Sequence, residues 1–212
     1  MLPIITVDNF LRNPDEWRKL ALFAESWEQD TNGMWPGTRT RTISELYPNK
    51  IIELANALGD ILPHYVMMQT GGISYLESRF QSIPGKWGSG WIHEDKIENI
   101  DFAGVVYLDP NPQEDSGTSI YEFLGDSTDV IYSSTLTKHK SEFYSDTTRH
   151  NELQYIKDLR APYFKRSAKI ENVYNRCTLY DAKYWHAADK YYGETLEDSR
   201  LTLVFFGQFR RN

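Results

Sequence analysis

Apolar positions along the chain recur first at helical spacing and then, from Gly72 onward, at the spacing of strands. Residues 4–10 alternate apolar and polar, which predicts a short strand. Asn13-Pro14-Asp15-Glu16 then reads as a helix start, with a cap residue, proline at the first helical position and acids against the helix dipole. That helix is expected to run to about Ser26. Residues 30–44 hold Gly33, Trp35, Pro36, Gly37 and the run Thr38-Arg39-Thr40-Arg41-Thr42, a loop passing into extended chain. Ile51, Leu54, Ala55, Leu58, Ile61 and Leu62 then mark a second helix over 48–62, closed by Pro63.

Five strands are predicted after Gly72, over 73–83, 100–108, 119–123, 173–180 and 200–209. Turn-rich pieces such as Pro84-Gly85-Lys86-Trp87-Gly88-Ser89-Gly90 and Asp109-Pro110-Asn111-Pro112 separate them. Helices followed by a strand series, with no βαβ unit and no internal repeat, predict a mainly β fold. It is an antiparallel double-sheet jelly roll with the N-terminal helices packed on one sheet. The expected organisation is a single domain over 1–212, with helical support over 1–71 and the jelly-roll core over 72–209. Within it, 125–169 is polar and long for a connection, which marks a lid or insertion. Its end carries Lys157, Arg160, Lys165, Arg166 and Lys169 against one acid, Asp158. Such a run is either a solvated surface or a rim that meets an acidic or extended substrate.

Composition narrows the function classes. The chain has 212 residues, 40% hydrophobic, which suits one globular domain with a sizeable core. Aromatic content of 14% favours sheet around a wide apolar interior. A net charge of -7 gives no general attraction to nucleic acid or anionic membrane. Cys177 is the only cysteine, so no intrachain disulfide is possible. It is expected to pack as a small hydrophobe. The first residues lack the pattern of a secretory signal, and no apolar run approaches roughly 18 residues, so a soluble, cytoplasmic protein is expected. Oligomeric state is not readable from these features.

The chemistry concentrates at Trp91-Ile92-His93-Glu94-Asp95. On extended chain, His93 and Asp95 share a face and can grip one metal ion, while Glu94 faces away. A third ligand is His186, in Tyr184-Trp185-His186-Ala187. Two imidazoles and one carboxylate leave coordination positions open, the arrangement suited to non-haem Fe(II). A zinc hydrolase or cupin-like isomerase could use the same three groups, and a jelly-roll binding module could keep them without catalysis. Arg200-Leu201-Thr202 opens the last predicted strand, with Arg200 and Thr202 on one face, and has no role in the zinc reading. His64, His139 and His150 have no partner at ligand spacing and are expected to be exposed. Trp87 and Trp91 flank the glycine-rich turn as pocket wall or core.

Taken in order, His93-Glu94-Asp95, His186 and Arg200-Leu201-Thr202 resemble the H-x-D, distal histidine and R-x-S/T motifs of the Fe(II)- and 2-oxoglutarate-dependent dioxygenases, prolyl-hydroxylase-like branch. The apolar run 102–109 and Ser116-Gly117-Thr118 resemble the strand and small-residue turn between them. The likeness covers about 72–209. The 8–22 and 35–46 regions resemble N-terminal parts of uncharacterised phage and bacterial oxygenases.

This resemblance implies a double-stranded β-helix, a cupin-like jelly roll. It implies Fe(II) held by His93, Asp95 and His186, with 2-oxoglutarate and O2 as cosubstrates. It also implies Arg200 and Thr202 on the far carboxylate of 2-oxoglutarate, in a charge-assisted pair. By the same likeness Tyr107, in Val106-Tyr107-Leu108-Asp109, contacts that carboxylate, and Asn175 could line the pocket. The implied reaction is hydroxylation, favoured over halogenation because position 95 is a carboxylate. The substrate is expected to be a peptide or small molecule rather than nucleic acid.

Overall fold

A computed structural model describes residues 2–30, 32–95, 99–125, 135–145 and 150–211. Its elements are β1 (Ile5–Val7), α1 (Pro14–Leu22), β2 (Glu28–Gln29), β3 (Thr38–Arg39), α2 (Ile43–Leu46), α3 (Pro48–Ile61), α4 (His64–Thr70), β4 (Ile73–Ile83) and β5 (Phe102–Tyr107). There follow β6 (Thr118–Phe123), α5 (Thr135–Ser145), α6 (His150–Arg160), β7 (Phe164–Ile170), β8 (Cys177–Asp181), β9 (Trp185–Ala188) and β10 (Arg200–Phe209).

Two antiparallel sheets make the predicted mainly β jelly roll. The larger has the order β1-β8-β5-β10-β4-β3-β2, the smaller β7-β6-β9. Alternation along the central strands sorts side chains to two faces. Phe102, Val106, Leu203 and Phe205 point to the helices, where they meet Trp17, Ala21, Leu54, Leu58 and Val66 from α1, α3 and α4. Ala103, Val105, Val204 and Phe206 point the other way and line a cavity between the sheets. Trp17 is wholly buried and edges onto Phe80 at 6.3 Å. Its truncation to alanine would cost about 3–5 kcal/mol.

Several boundaries differ from the sequence expectation for local reasons. α1 stops at Leu22 because the Trp27 indole donates to Ala21 O at 3.2 Å and turns the chain. α2 arises from a capping box between Thr42 and Glu45. Pro63 closes α3 but also caps α4, which ends on left-handed Gly71. β8 starts only at Cys177 because Asn175 has φ +61°. Helices α5 and α6 and strand β7 fall in the polar stretch 125–169. Phe143, Tyr144 and Leu153 from the two helices pack with Trp87, Trp91 and Tyr191 over one end of the cavity. No helix among the described residues is long and apolar enough to cross a membrane.

Candidate metal centre and cavity

Backbone pairing, rather than a continuous strand, brings the candidate ligands together. His93 and His186 form an isolated antiparallel bridge: His93 N donates to His186 O at 3.0 Å, and His186 N to His93 O at 2.8 Å. On its other side His186 pairs with Ile120 of β6. Two residues on, Asp95 N donates to Ala182 O at 3.1 Å. Each ligand-bearing residue is thus pinned by main-chain bonds. Because 91–95 is a bridge and not a pleated strand, the expected alternation fails at Glu94, which also lines the cavity.

One ligand atom from each of His93, Asp95 and His186 lies within 4.8 Å of the others. His93 Nε2 is 3.6 Å from Asp95 Oδ1, and His186 Nε2 is 3.4 Å from Asp95 Oδ2. The other ring nitrogens face carbonyls, His93 Nδ1 toward Trp91 O at 2.7 Å and His186 Nδ1 toward Tyr184 O at 2.9 Å. A carbonyl only accepts, so each Nδ1 carries a proton, and in a neutral ring the Nε2 then presents its lone pair. Burial, with Lys140 and His186 nearby, lowers the His93 pKa to about 4, so its ring is neutral at neutral pH. Two imidazole nitrogens and a carboxylate therefore converge. A divalent cation satisfies all three, and a set of two histidines and one carboxylate fits ferrous iron.

The cavity has a volume of about 680 Å3. Arg200 lines it, buried, at the start of β10. Its Nε donates to Ser116 O at 2.9 Å, and its Nη2 reaches Gly117 O and Thr118 Oγ1, each at 3.3 Å. Gly117 makes this possible: a Cβ there would lie 1.8 Å from Ile170 O. Tyr107 and Thr202 stand beside Arg200 but behind the cavity lining. The Tyr107 ring packs 5.3 Å from the guanidinium and its hydroxyl donates to Thr118 Oγ1 at 2.8 Å. Thr202 pairs with Tyr107 across the sheet, and its hydroxyl donates a long bond to Gln81 O at 3.4 Å.

Other residues singled out in the sequence lie elsewhere. Asn175 clasps Leu11, accepting from its N–H at 2.8 Å and donating to its carbonyl at 2.9 Å, away from the lining. Trp91 lines the cavity, while Trp87 belongs to the core beneath α5. Cys177 is buried, His64 is exposed and His139 is half-buried. The side chain of His150 lies outside the described residues. Sequence reasoning missed Arg39, Arg79 and Lys140 in the lining. For Arg39 the signal was the polar alternation of 38–42 directly after Trp35.

The fold is that of the Fe(II)/2-oxoglutarate-dependent oxygenases. A Trichoplax adhaerens prolyl hydroxylase, solved with a peptide fragment of a hypoxia inducible factor oxygen degradation domain, superposes with TM-score 0.55 at 12% identity, over 97% of this chain and 83% of that one. A Pseudomonas putida prolyl-4-hydroxylase gives 0.55 at 16% identity, over 100% and 95%. The non-haem α-ketoglutarate-dependent carbocyclase SnoK of nogalamycin biosynthesis gives 0.57 at 10%, over 99% and 82%. At such identities the likeness is one of fold. No curated protein matches the sequence. The chain belongs to the family of unknown function DUF6445, which matches residues 1–206.

Proposed function

We propose that this protein is an Fe(II)- and 2-oxoglutarate-dependent oxygenase that hydroxylates a peptide or small-molecule substrate. The observation that carries this reading is the convergence of three candidate ligands, His93 Nε2, Asp95 and His186 Nε2, on a cavity that also holds the Arg200 guanidinium. A hydrolytic zinc site gives Arg200 no task.

His93, Asp95 and His186 would hold the iron. Arg200 would receive the far carboxylate of 2-oxoglutarate through the donors its three existing bonds leave over. Iron and 2-oxoglutarate, when bound, supply oxidative decarboxylation coupled to oxidation of a substrate C–H bond. The chain contributes placement and dryness. Tyr107 and Thr118 hold the guanidinium from behind, so its donors need not reorganise. Ala103, Val105, Val204 and Phe206 give an apolar wall, against which an unpaired carboxylate would be costly. Tyr144 of α5 accepts the Trp91 N–H at 2.8 Å, and Lys157 of α6 donates to Ser89 O at 2.8 Å. Both bonds tie 125–169 to the segment that leads into His93. We read that stretch as a lid on a single domain over 1–212, in a cytoplasmic protein.

The test is spectroscopic. Without oxygen, the protein with Fe(II) and 2-oxoglutarate should give a weak visible charge-transfer band that His93→Ala abolishes. Admission of oxygen should then release succinate. Absence of the band together with tight zinc binding would replace this reading with the hydrolytic one.

A further inference from the structure

The cavity carries more positive charge than the proposed cosubstrate uses. Arg39, Arg79, Lys140, Arg160 and Arg200 line it against the carboxylates of Glu77, Glu94 and Asp95. A divalent ion on the triad and a dianionic cosubstrate cancel each other, which leaves the cations in excess.

Among the described residues Arg39, on β3, is poorly provided for, as is Arg160, whose Nε is also without an acceptor and whose Nη2 reaches Ile92 O at 3.4 Å. The Arg39 guanidinium lies over the Trp35 ring at 4.6 Å and is 5.9 Å from the centre of the Phe206 ring. Among the described residues its one side-chain hydrogen bond is Nη2 to the neutral Gln81 Oε1 at 3.3 Å, and its Nε is buried with no acceptor. Two nearby carboxylates are committed. Glu77 accepts from Arg79 Nε at 2.8 Å and from the Tyr75 hydroxyl at 2.9 Å, and Asp95 faces the two imidazoles. Lys140 of α5 also faces the cavity, and among the described residues it forms no ion pair. Burial lowers its pKa to about 8, so the ammonium is still mostly charged at neutral pH. A half-buried guanidinium whose Nε is buried and idle is costly unless something anionic completes it.

We propose that Arg39, with Lys140, binds an anionic oxygen group of the substrate, a carboxylate or a phosphate. This rests on the oxygenase reading for its meaning, but the anion site can be tested by itself. In the anaerobic Fe(II) protein saturated with 2-oxoglutarate, calorimetric titrations would compare benzoate and phenyl phosphate with neutral benzamide. At least one anion should bind about tenfold or more tightly than benzamide, the scale of one charge-assisted hydrogen bond. Arg39→Gln should remove that advantage and Arg39→Lys should restore part of it. The anion that wins identifies the group. Benzamide binding as tightly as both anions, or an advantage that survives Arg39→Gln, overturns the proposal. Should Arg39→Gln fail to fold, Lys140→Met must reduce the advantage. If the wild type forms no charge-transfer band, the oxygenase reading falls, and the same titrations on metal-free protein still decide whether Arg39 is an anion site.

Discussion

Arg200 and Arg39 are both guanidinium groups of the larger sheet that line one cavity, and they differ in what they hold. Arg200 donates to two main-chain carbonyls and a threonine hydroxyl and is flanked by a tyrosine ring. Arg39 has one long bond to an amide and an orphan Nε, between two aromatic rings. The first is fixed by the fold before any ligand arrives, as suits an anchor for an invariant cosubstrate. The second waits for its partner, as suits the group that must tell one substrate from another. Arg200 is buried and Arg39 half-buried, and the count of acceptors separates their roles more sharply than that difference does.

The contrast can be broken most forcefully at the metal. Asp95→Ala or His186→Ala should weaken Fe(II) binding by more than about 100-fold, beyond the loss typical of outer-shell changes. In anaerobic titration the charge-transfer band should vanish. Binding of 2-oxoglutarate should fall with it, whereas anion binding at Arg39 should persist. Loss of both would mean the two arginines serve a single site.

Arg200→Ala should reduce 2-oxoglutarate affinity by about 100-fold, the scale of a charge-assisted bidentate pair, while Fe(II) affinity stays within a few-fold, measured by titrating each in turn. It should also lower unfolding free energy by about 2–3 kcal/mol, because Ser116 O, Gly117 O and Thr118 Oγ1 lose a donor. Arg39→Gln, which strands only Gln81, should cost less than half of that in the same urea titration. Equal costs would erase the distinction between anchor and recognition group.

A smaller effect separates support from contact. Tyr107→Phe removes the hydroxyl bond to Thr118 and should cost about 1 kcal/mol of stability, with 2-oxoglutarate affinity changed less than about threefold. A tenfold loss of affinity would put Tyr107 on the cosubstrate itself.

The least direct effect is on pH dependence. Burial lowers the pKa of Lys140, and that of Lys157, from the ordinary 10.5 to about 8. Between these values the unfolded chain holds protons the folded chain has released, so stability rises with pH across that window. Denaturation at about pH 8 and about pH 9.5 should show higher stability at the higher pH, a gain reduced in Lys140→Met.

The strands that carry the larger sheet were legible because their pattern is self-sufficient. Residues 73–83 and 200–209 are long, apolar on alternate positions and bounded by turn residues, and β4 and β10 occupy those spans. β9 was not legible: four residues with Trp185 and His186 cannot display a period. β7 hid behind Lys165, Arg166 and Lys169, since its exposed face resembles a solvated basic run. The candidate ligands were visible as residue types at spacing, but the bridge joining residue 93 to residue 186 is a long-range pairing that only the folded sheet creates. Arg39 escaped for the opposite reason. On a two-residue strand nothing local says which side faces inward, and its partial burial depends on Trp35 and Phe206 arriving from different segments.

The reciprocal amide bonds between His93 and His186 have a consequence for how the site would be filled. Because the two residues are joined through their peptide groups, the spacing of the rings is written into the sheet, and an ion taken up there would meet two of its ligands already side by side.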